Sequence, residues 1–248
     1  MLTEERYAMI LETVNKQKSV GLGELCLLLQ TSESTIRRDL GVLAEKGMLT
    51  KVRGGAMALD DSFAVVERNI EEKSALFQEE KEAIARYAAS LIDDGEFVFI
   101  DAGTTTEKMI DYMPMKDITF VTNAFVHAKK LAQRGFKVYL PAGEVKLSTE
   151  AIVGAECQLS LQNYNFTKCF VGVNGISTTG GFSTPDPREA SVKKTVIGRS
   201  HAVYLLADHS KFDKVTAVTF AQLDRGQVIT DRLEDKKYHR ETSIKEVL

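Results

Sequence analysis

A chain of 248 residues with 44% hydrophobic content and a formal charge of -3 is long enough for one large or two unequal domains at roughly 150 residues each, and two are expected. No run approaches the ~20 apolar residues that span a bilayer, and the opening MLTEERYAMILE is acidic and periodic rather than a basic-then-apolar leader. A soluble cytoplasmic protein without membrane contact is expected. Three dispersed cysteines and four dispersed histidines form no metal-ligand spacing, so neither a disulfide framework nor a metal or other cofactor is predicted.

Residues 1–57 read as a winged helix-turn-helix. Thr3, Glu4 and Glu5 open a first helix with Tyr7, Ile10, Leu11 and Val14 on one side, running to about Lys16. Ser19-Val20-Gly21 has room for a very short strand, Leu22, Leu25, Leu28 and Leu29 mark a second short helix, and Gln30-Thr31 turns into Ser32. Ser32 is placed to cap a third helix, with Glu33 at its positive end and Gly47 as its stop. Ile36, Leu40 and Leu43 recur at i, i+4 and i+7 and predict its buried stripe. The opposite side carries Ser34, Arg38, Gly41 and Glu45, flanked by Thr35 and Arg37. Short hydroxyls and guanidinium groups are the donors that meet phosphates and guanine edges. From Met48 to Ala56 a two-strand basic wing with Lys51 and Arg53 is expected. Ser32–Gly55 holds five bases against three acids, a net of +2 inside an acidic chain, so the nucleic-acid partner belongs to this end alone. Ser34, Thr35, Arg37, Arg38, Lys51 and Arg53 are the DNA-binding candidates.

The periodicity weakens over residues 58–78, which read as a linker whose Phe63, Val65 and Val66 dock on the second domain. Residues 79–248 form that domain. A helix through Ile84, Tyr87, Ala88, Leu91 and Ile92 leads to short continuous apolar runs at Phe97–Ile100, Ile118–Val121, Val138–Leu140, Phe170–Val173, Ala202–Leu206 and Val228–Ile229. Most are followed by a helical pattern. Such alternation predicts a mostly parallel sheet covered on both faces, hence an α/β fold.

In open α/β sheets ligands collect outside the carboxyl ends of the strands. Asp101-Ala102-Gly103-Thr104-Thr105-Thr106 follows the first run, Thr122-Asn123 the second, Gly143-Glu144 the third and Asp208-His209-Ser210-Lys211 the fifth. Hydroxyls, a glycine and a helix start suit a phosphate, Asp101 suits sugar hydroxyls, and Lys211 supplies a cation. A phosphorylated sugar or polyol is the expected effector, at Asp101, Gly103, Thr104, Thr105, Thr106, Thr122, Asn123, Gly143 and Lys211. His209 is expected to orient a loop. Gly180–Glu189 fits equally a lid over that site and a rigid connector. No dinucleotide or nucleoside-triphosphate motif is present, and no catalytic constellation stands out. The competing reading is a sugar-phosphate isomerase-like enzyme with an appended DNA-binding domain, since Asp101, Glu144, Asp186, Glu189 and Asp208 could supply a base.

SESTIRRDLGVLAEKGMLTKVRGGA, together with DAGTTT, VTN, FVGVNGIS, GFSTPDPREA and ADHSKF, resembles the motifs of the DeoR-type bacterial transcriptional regulators over essentially the whole chain. The resemblance implies a repressor, dimeric or tetrameric, that binds operator DNA, with a sensor domain similar in fold to ribose-5-phosphate isomerase. Within the family it is most similar to the fructose operon repressors of Gram-positive bacteria, which implies fructose 1-phosphate as inducer. Two departures are Pro141-Ala142-Gly143, where paired glycines are common, and Gly21, where a serine often caps the second helix.

Overall fold

Apolar residues at helical spacing and a pair of glycines shape the amino-terminal end. The computed structural model describes residues 3–17, 19–46, 48–57, 63–64, 69–233 and 235–248, and the chain separates into two units, Met1–Asp61 and Ser62–Leu248. The first contains α1 (Thr3–Gln17), β1 (Ser19–Gly21), α2 (Leu22–Leu29), α3 (Glu33–Glu45), β2 (Thr50–Val52) and β3 (Gly55–Met57). Its strands form an antiparallel sheet in the order β1-β3-β2. Ile10, Val14, Leu25, Leu29, Ile36, Leu40, Leu43, Leu49 and Ala56 make its core. Ser32 caps α3 by accepting the Thr35 N–H at 3.3 Å, and Gly21 caps α2 without any side-chain bond. A side chain at Gly55 would put its Cβ 2.1 Å from the Val20 carbonyl oxygen, so only glycine lets β3 lie between its neighbours. Leu28, expected on the buried stripe of α2, is exposed. It lies about 90° round the helix from the stripe that Leu22, Leu25 and Leu29 share. Gly47 lies outside the described residues.

The second unit runs β4 (Phe63–Ala64), α4 (Ile70–Ala75), α5 (Gln78–Ser90), β5 (Phe97–Ile100), α6 (Thr104–Met109), β6 (Thr119–Thr122), α7 (Phe125–Gln133), β7 (Lys137–Tyr139), β8 (Glu144–Lys146), β9 (Ala151–Val153) and α8 (Ala155–Gln162). It continues with β10 (Phe166–Gly172), β11 (Gly175–Ser177), β12 (Gly181–Thr184), α9 (Pro187–Gly198), β13 (Ser200–Leu206), β14 (Val215–Thr216), β15 (Val218–Ala221), β16 (Gln227–Thr230) and β17 (Ser243–Glu246). Seven strands form one sheet in the order β17-β16-β13-β10-β5-β6-β7, and every pairing in it is parallel. Alternate residues feed two cores. Phe99, Val121, Val171, Leu205 and Val228 face α8 and α9; Val98, Ile100, Phe120, Phe170, Leu206 and Ile229 face α5, α6 and α7. Burial on both sides is why these strands read as unbroken apolar runs.

The structure sharpens the sequence-based expectations in three places. The described part of the 58–78 segment is folded with the second unit: β4 pairs with β14 and α4 packs on α6, while Leu59, Val65 and Val66 lie outside the described residues. Of the two readings left open for Gly180–Glu189 the rigid connector fits, because β12 is the central strand of a small antiparallel sheet, β11-β12-β15, with Phe182, Ser183 and Thr184 buried, and it leads into the Asp186 cap of α9. An additional edge strand, β17, extends the main sheet. No helix among the described residues is long and apolar enough to cross a membrane. The cysteines are unpaired; burial pushes the thiols of Cys157 and Cys169 up to about 12, which makes them inert.

Candidate functional site

On α3 the exposed side is organised by what holds the helix from behind. Asp39 is buried on the same stripe as Ile36 and Leu40 and accepts from Arg6 of α1 at 2.6 and 3.2 Å. This fastens the helix in one rotational setting. Arg37 donates to Glu33 one turn earlier at 3.0 Å. The wing is braced on the helix by Lys51, whose Nζ donates to the Arg37 carbonyl at 3.0 Å; a Cβ at Gly41 would sit 3.5 Å from that nitrogen. Ser34 and Thr35 share hydrogen bonds with the Ser32 hydroxyl at 3.0 and 2.9 Å. Arg38 and Arg53 are exposed and make no hydrogen bond or ion pair among the described residues. Of the six DNA-binding candidates, therefore, Arg38 and Arg53 have guanidinium groups free to meet phosphate or base, Ser34 and Thr35 crown the helix start, and Arg37 and Lys51 brace the motif.

In the second unit the carboxyl ends of β5, β6, β10 and β13 lie along one edge. Asp101 is 2% exposed; its Oδ2 accepts the Gly172 N–H at 3.0 Å and pairs with Lys193 of α9. Burial pushes the Asp101 carboxyl above its ordinary range, against the pull of Lys193. Asn123 clamps the same loop, accepting the Ala102 N–H at 2.9 Å and, through its backbone carbonyl, the Ile152 N–H at 2.6 Å. Thr122 is fully buried, and its hydroxyl accepts the Ala124 N–H at 3.2 Å. Thr106 donates to the Gly103 carbonyl at 2.8 Å. Thr104 and Thr105 are half-buried at the start of α6, with hydroxyls unengaged among the described residues. Gly143 has φ 140, and a Cβ there would meet the Val153 oxygen at 2.7 Å, so its glycine is required by the β8–β9 hairpin folding back on it.

Lys211 is near Asp208, at 3.5 Å, and within electrostatic reach of Lys81 on α5. Lys81 escaped the sequence reading. It is 4% exposed, its Nζ donates to the Lys73 carbonyl, and burial pulls its pKa down to about 8. Lys81 lies buried within electrostatic reach of Asp208 and of three further lysines, Lys211, Lys108 and Lys73, and this surplus of positive charge favours an anion. His209 donates its backbone N–H to Asp231 at 2.7 Å and holds the same carboxylate through Nδ1 at 2.6 Å, with Phe77 edge-on at 5.1 Å. Among the described residues, Glu80, His209 and Asp231 form the group whose ligand atoms lie close enough for a metal ion. Asp231 is already engaged by His209, however, and the nearby lysines disfavour a second cation.

A chain of charges leaves this edge. Beyond Lys193, Glu189 is buried and accepts from Lys146 at 2.9 Å and from Thr149 at 2.6 Å. Burial works to raise its pKa, but Lys193, Thr149 and Lys146 outweigh it and hold the carboxyl below its ordinary range. Lys146 also meets Asp186 at 3.0 Å. Burial opposes ionisation there too, yet Arg188 and Lys146 hold Asp186 well below the usual carboxylate range, and Arg188 reaches Glu144 at 3.3 Å. A separate cleft of about 510 Å³, lined by Ser200, His201, Tyr204, Arg225 and Gln227 among others, lies at the opposite, amino ends of β13 and β16, away from these residues.

Comparison with known proteins agrees with this division. Residues 6–62 match the DeoR-like helix-turn-helix domain and residues 76–232 the DeoR C terminal sensor domain. The chain is 41% identical to the Bacillus subtilis (strain 168) protein named "Uncharacterized HTH-type transcriptional regulator FruR", covering 100% of this chain and 99% of that one. It is 35% identical to a lactose phosphotransferase system repressor of Staphylococcus epidermidis, covering 98% of each. Ribose 5 phosphate isomerase A from Neisseria gonorrhoeae superposes with a TM-score of 0.40 over 53% of this chain and 52% of that chain at 18% identity, a partial likeness beside which the sheet topology itself describes the sensor. With a braced recognition helix in one unit, a parallel α/β sensor in the other and both family models matched in order, the chain belongs to the DeoR family of DNA-binding transcriptional regulators.

Proposed function

We propose that this protein is a cytoplasmic repressor of a sugar-utilisation operon, one for fructose, relieved by a phosphorylated sugar such as fructose 1-phosphate. In this reading residues 1–57 hold operator DNA through Arg38 and Arg53, supported by Ser34, Thr35, Arg37 and Lys51. The sensor takes in the described part of 58–78 and continues over 79–248. The sugar phosphate sits at the carboxyl edge of the sheet, its phosphate against Thr104, Thr105, Lys211 and Lys81. Asp101, Gly103, Thr106, Thr122, Asn123 and Gly143 shape the loops around it. The observation that carries the reading is the buried Lys81 ammonium beside Lys211, with Asp208 the carboxylate that acts on both, a surplus of positive charge that a bound phosphate would balance. A repressor of this type works as a dimer or tetramer, because one winged helix reads only a half-site.

The test is a thermal-shift panel of fructose 1-phosphate, fructose 6-phosphate, tagatose 6-phosphate and glucose 6-phosphate. A ligand at 100 times its Kd stabilises by about 2.7 kcal/mol. One sugar phosphate should raise the midpoint well above the others and release operator DNA in a gel-shift titration; no response to any phosphorylated sugar refutes the sensor assignment. The enzyme reading has one feature in its favour, the buried Glu189 between two lysines. A carboxylate held low is a weak base at neutral pH, and turnover of hexose or pentose phosphates by the purified protein would reverse this preference.

A further inference from the structure

Large apolar side chains left in solvent gather on one edge of the second unit. Tyr139 closes the edge strand β7, Leu140 follows it, and beyond the Pro141–Gly143 connector Val145 and Leu147 stand 54% and 80% exposed on the β8–β9 hairpin. Phe125, also exposed, adjoins them, for it follows Ala124, which bridges to Ala151, the strand partner of Lys146. Among the described residues β7 pairs with β6 alone, so its outer row of N–H and C=O groups has no strand beside it. A chain acting alone rarely leaves such an edge uncovered.

The other side of the hairpin is tied to the effector site. Successive side chains of a strand point to opposite faces, and in β8 Lys146, next to Val145, is held by Asp186 and Glu189 at 3.0 and 2.9 Å. Glu189 is within electrostatic reach of Lys193, which pairs with Asp101. The rim carries both signs, Glu144 with Arg188 at 3.3 Å and the exposed Lys137, as a self-complementary two-fold contact requires. The DNA-binding unit names the occupant, because the second half-site is filled only by a second copy of this chain. We propose that Phe125, Tyr139, Leu140, Val145 and Leu147 form the surface on which the sensor of a second copy docks, and that the β8–β9 hairpin carries the effector state from Asp101 to that contact. The inference rests on the repressor reading.

Sedimentation equilibrium of the full chain tests it, with Leu147→Glu and Leu147→Lys beside the parent. The parent should be a dimer or larger. Each variant should self-associate at least about tenfold more weakly, since like charges then face each other across the axis, while keeping the parent's circular-dichroism spectrum because Leu147 belongs to no core. Mixing the two variants should restore association through opposite charges. A monomeric parent at tens of micromolar, or variants with the parent's mass, overturns the interface; the latter with faster protease cleavage between the units would mean that the chain's own DNA-binding unit covers the patch. Operator binding and sugar-phosphate thermal shifts on the same samples judge the repressor reading separately. A variant that associates normally while the parent binds operator sinks the interface alone, and a parent that binds no operator sinks the reading beneath it.

Discussion

Lys81 offers the most direct handle on the effector site. Burial pulls its pKa from 10.5 to about 8, with Asp208 opposing the fall and Lys211 and Lys108 adding to it. At that pKa the cationic fraction is about 0.9 at pH 7 and about 0.1 at pH 9. A bound phosphate raises the pKa again, so binding takes up protons. Affinity is therefore full below pH 8 and falls as pH rises above it. The second ionisation of a phosphate ester, near 6, is complete by pH 7, which leaves the lysine as the titrating partner. Calorimetric titration with the tightest sugar phosphate should show about a tenfold loss between pH 7 and pH 9, roughly 1.4 kcal/mol. Lys81→Met should bind more weakly at pH 7 and lose that slope. The stability sign is the reverse. A lysine with a lowered native pKa costs folding free energy while it is charged in the native state, fully below pH 8, and the cost is relieved between pH 8 and 10.5. Its contribution to stability thus rises over the same window in which effector affinity falls. Equal parent affinity at pH 7 and pH 9, or an unchanged slope in Lys81→Met, would refute the placement of the anion.

Arg38→Ala should cost about 1–3 kcal/mol of operator affinity if the guanidinium meets a base and leave the effector thermal shift intact; a gel-shift titration identical to the parent's would exclude that role. Thr105→Val should give a protein that binds operator normally but no longer responds to inducer, and normal inducer-driven release would remove Thr105 from the site. Lys193→Met strands the buried Asp101 charge and should destabilise by about 3–5 kcal/mol, which at roughly 2–4 °C per kcal/mol lowers the melting midpoint by about 6–20 °C. The double variant Asp101→Leu/Lys193→Met should recover much of that loss, and a single variant melting with the parent would show that the pair does not anchor this edge.

The recognition helix was legible because each of its signals is local: a cap, an apolar stripe and a glycine-bearing wing all fall within Ser32–Gly55. Asp39 carries a readable signal too. It occupies the i+3 slot of the stripe begun by Ile36, and an acid on a buried stripe needs a base from elsewhere in the chain, here Arg6, whose identity no local pattern discloses. The parallel strands were legible because burial on both faces writes them as unbroken apolar runs. β12 was not, since Gly181 and two short hydroxyl residues look like a turn until Thr219 and Val218 are brought alongside by a distant strand. Lys81 and Lys193 were missed for a related reason. Burial of a lysine depends on what packs over it, and on a helix read alone each looks like part of a solvated face. Strand ends pointed to the tip loops, yet spacing could not reveal that Thr106, Thr122 and Asn123 spend their side chains on the backbone of Gly103, Ala124 and Ala102.

That division of labour constrains how a ligand could act. At the sheet edge the side chains of Asp101, Thr106, Thr122 and Asn123 already have partners, so under the proposed function a phosphate would meet Thr104, Thr105 and the lysines and leave those bonds standing. Removing one partner of a buried pair such as Lys193–Asp101 costs about 3–5 kcal/mol, more than the ~1–3 kcal/mol that couples sites in a typical allosteric protein. A switch of that size cannot work by breaking the pair. It must displace the pair as a block, carrying α9, Glu189 and, through Lys146, the β8–β9 hairpin with it, because packed and charge-linked elements shift between discrete arrangements more readily than they deform. On the function and interface proposed above, the buried charges would be the stiff connection between the edge that binds the anion and the edge that faces a second copy.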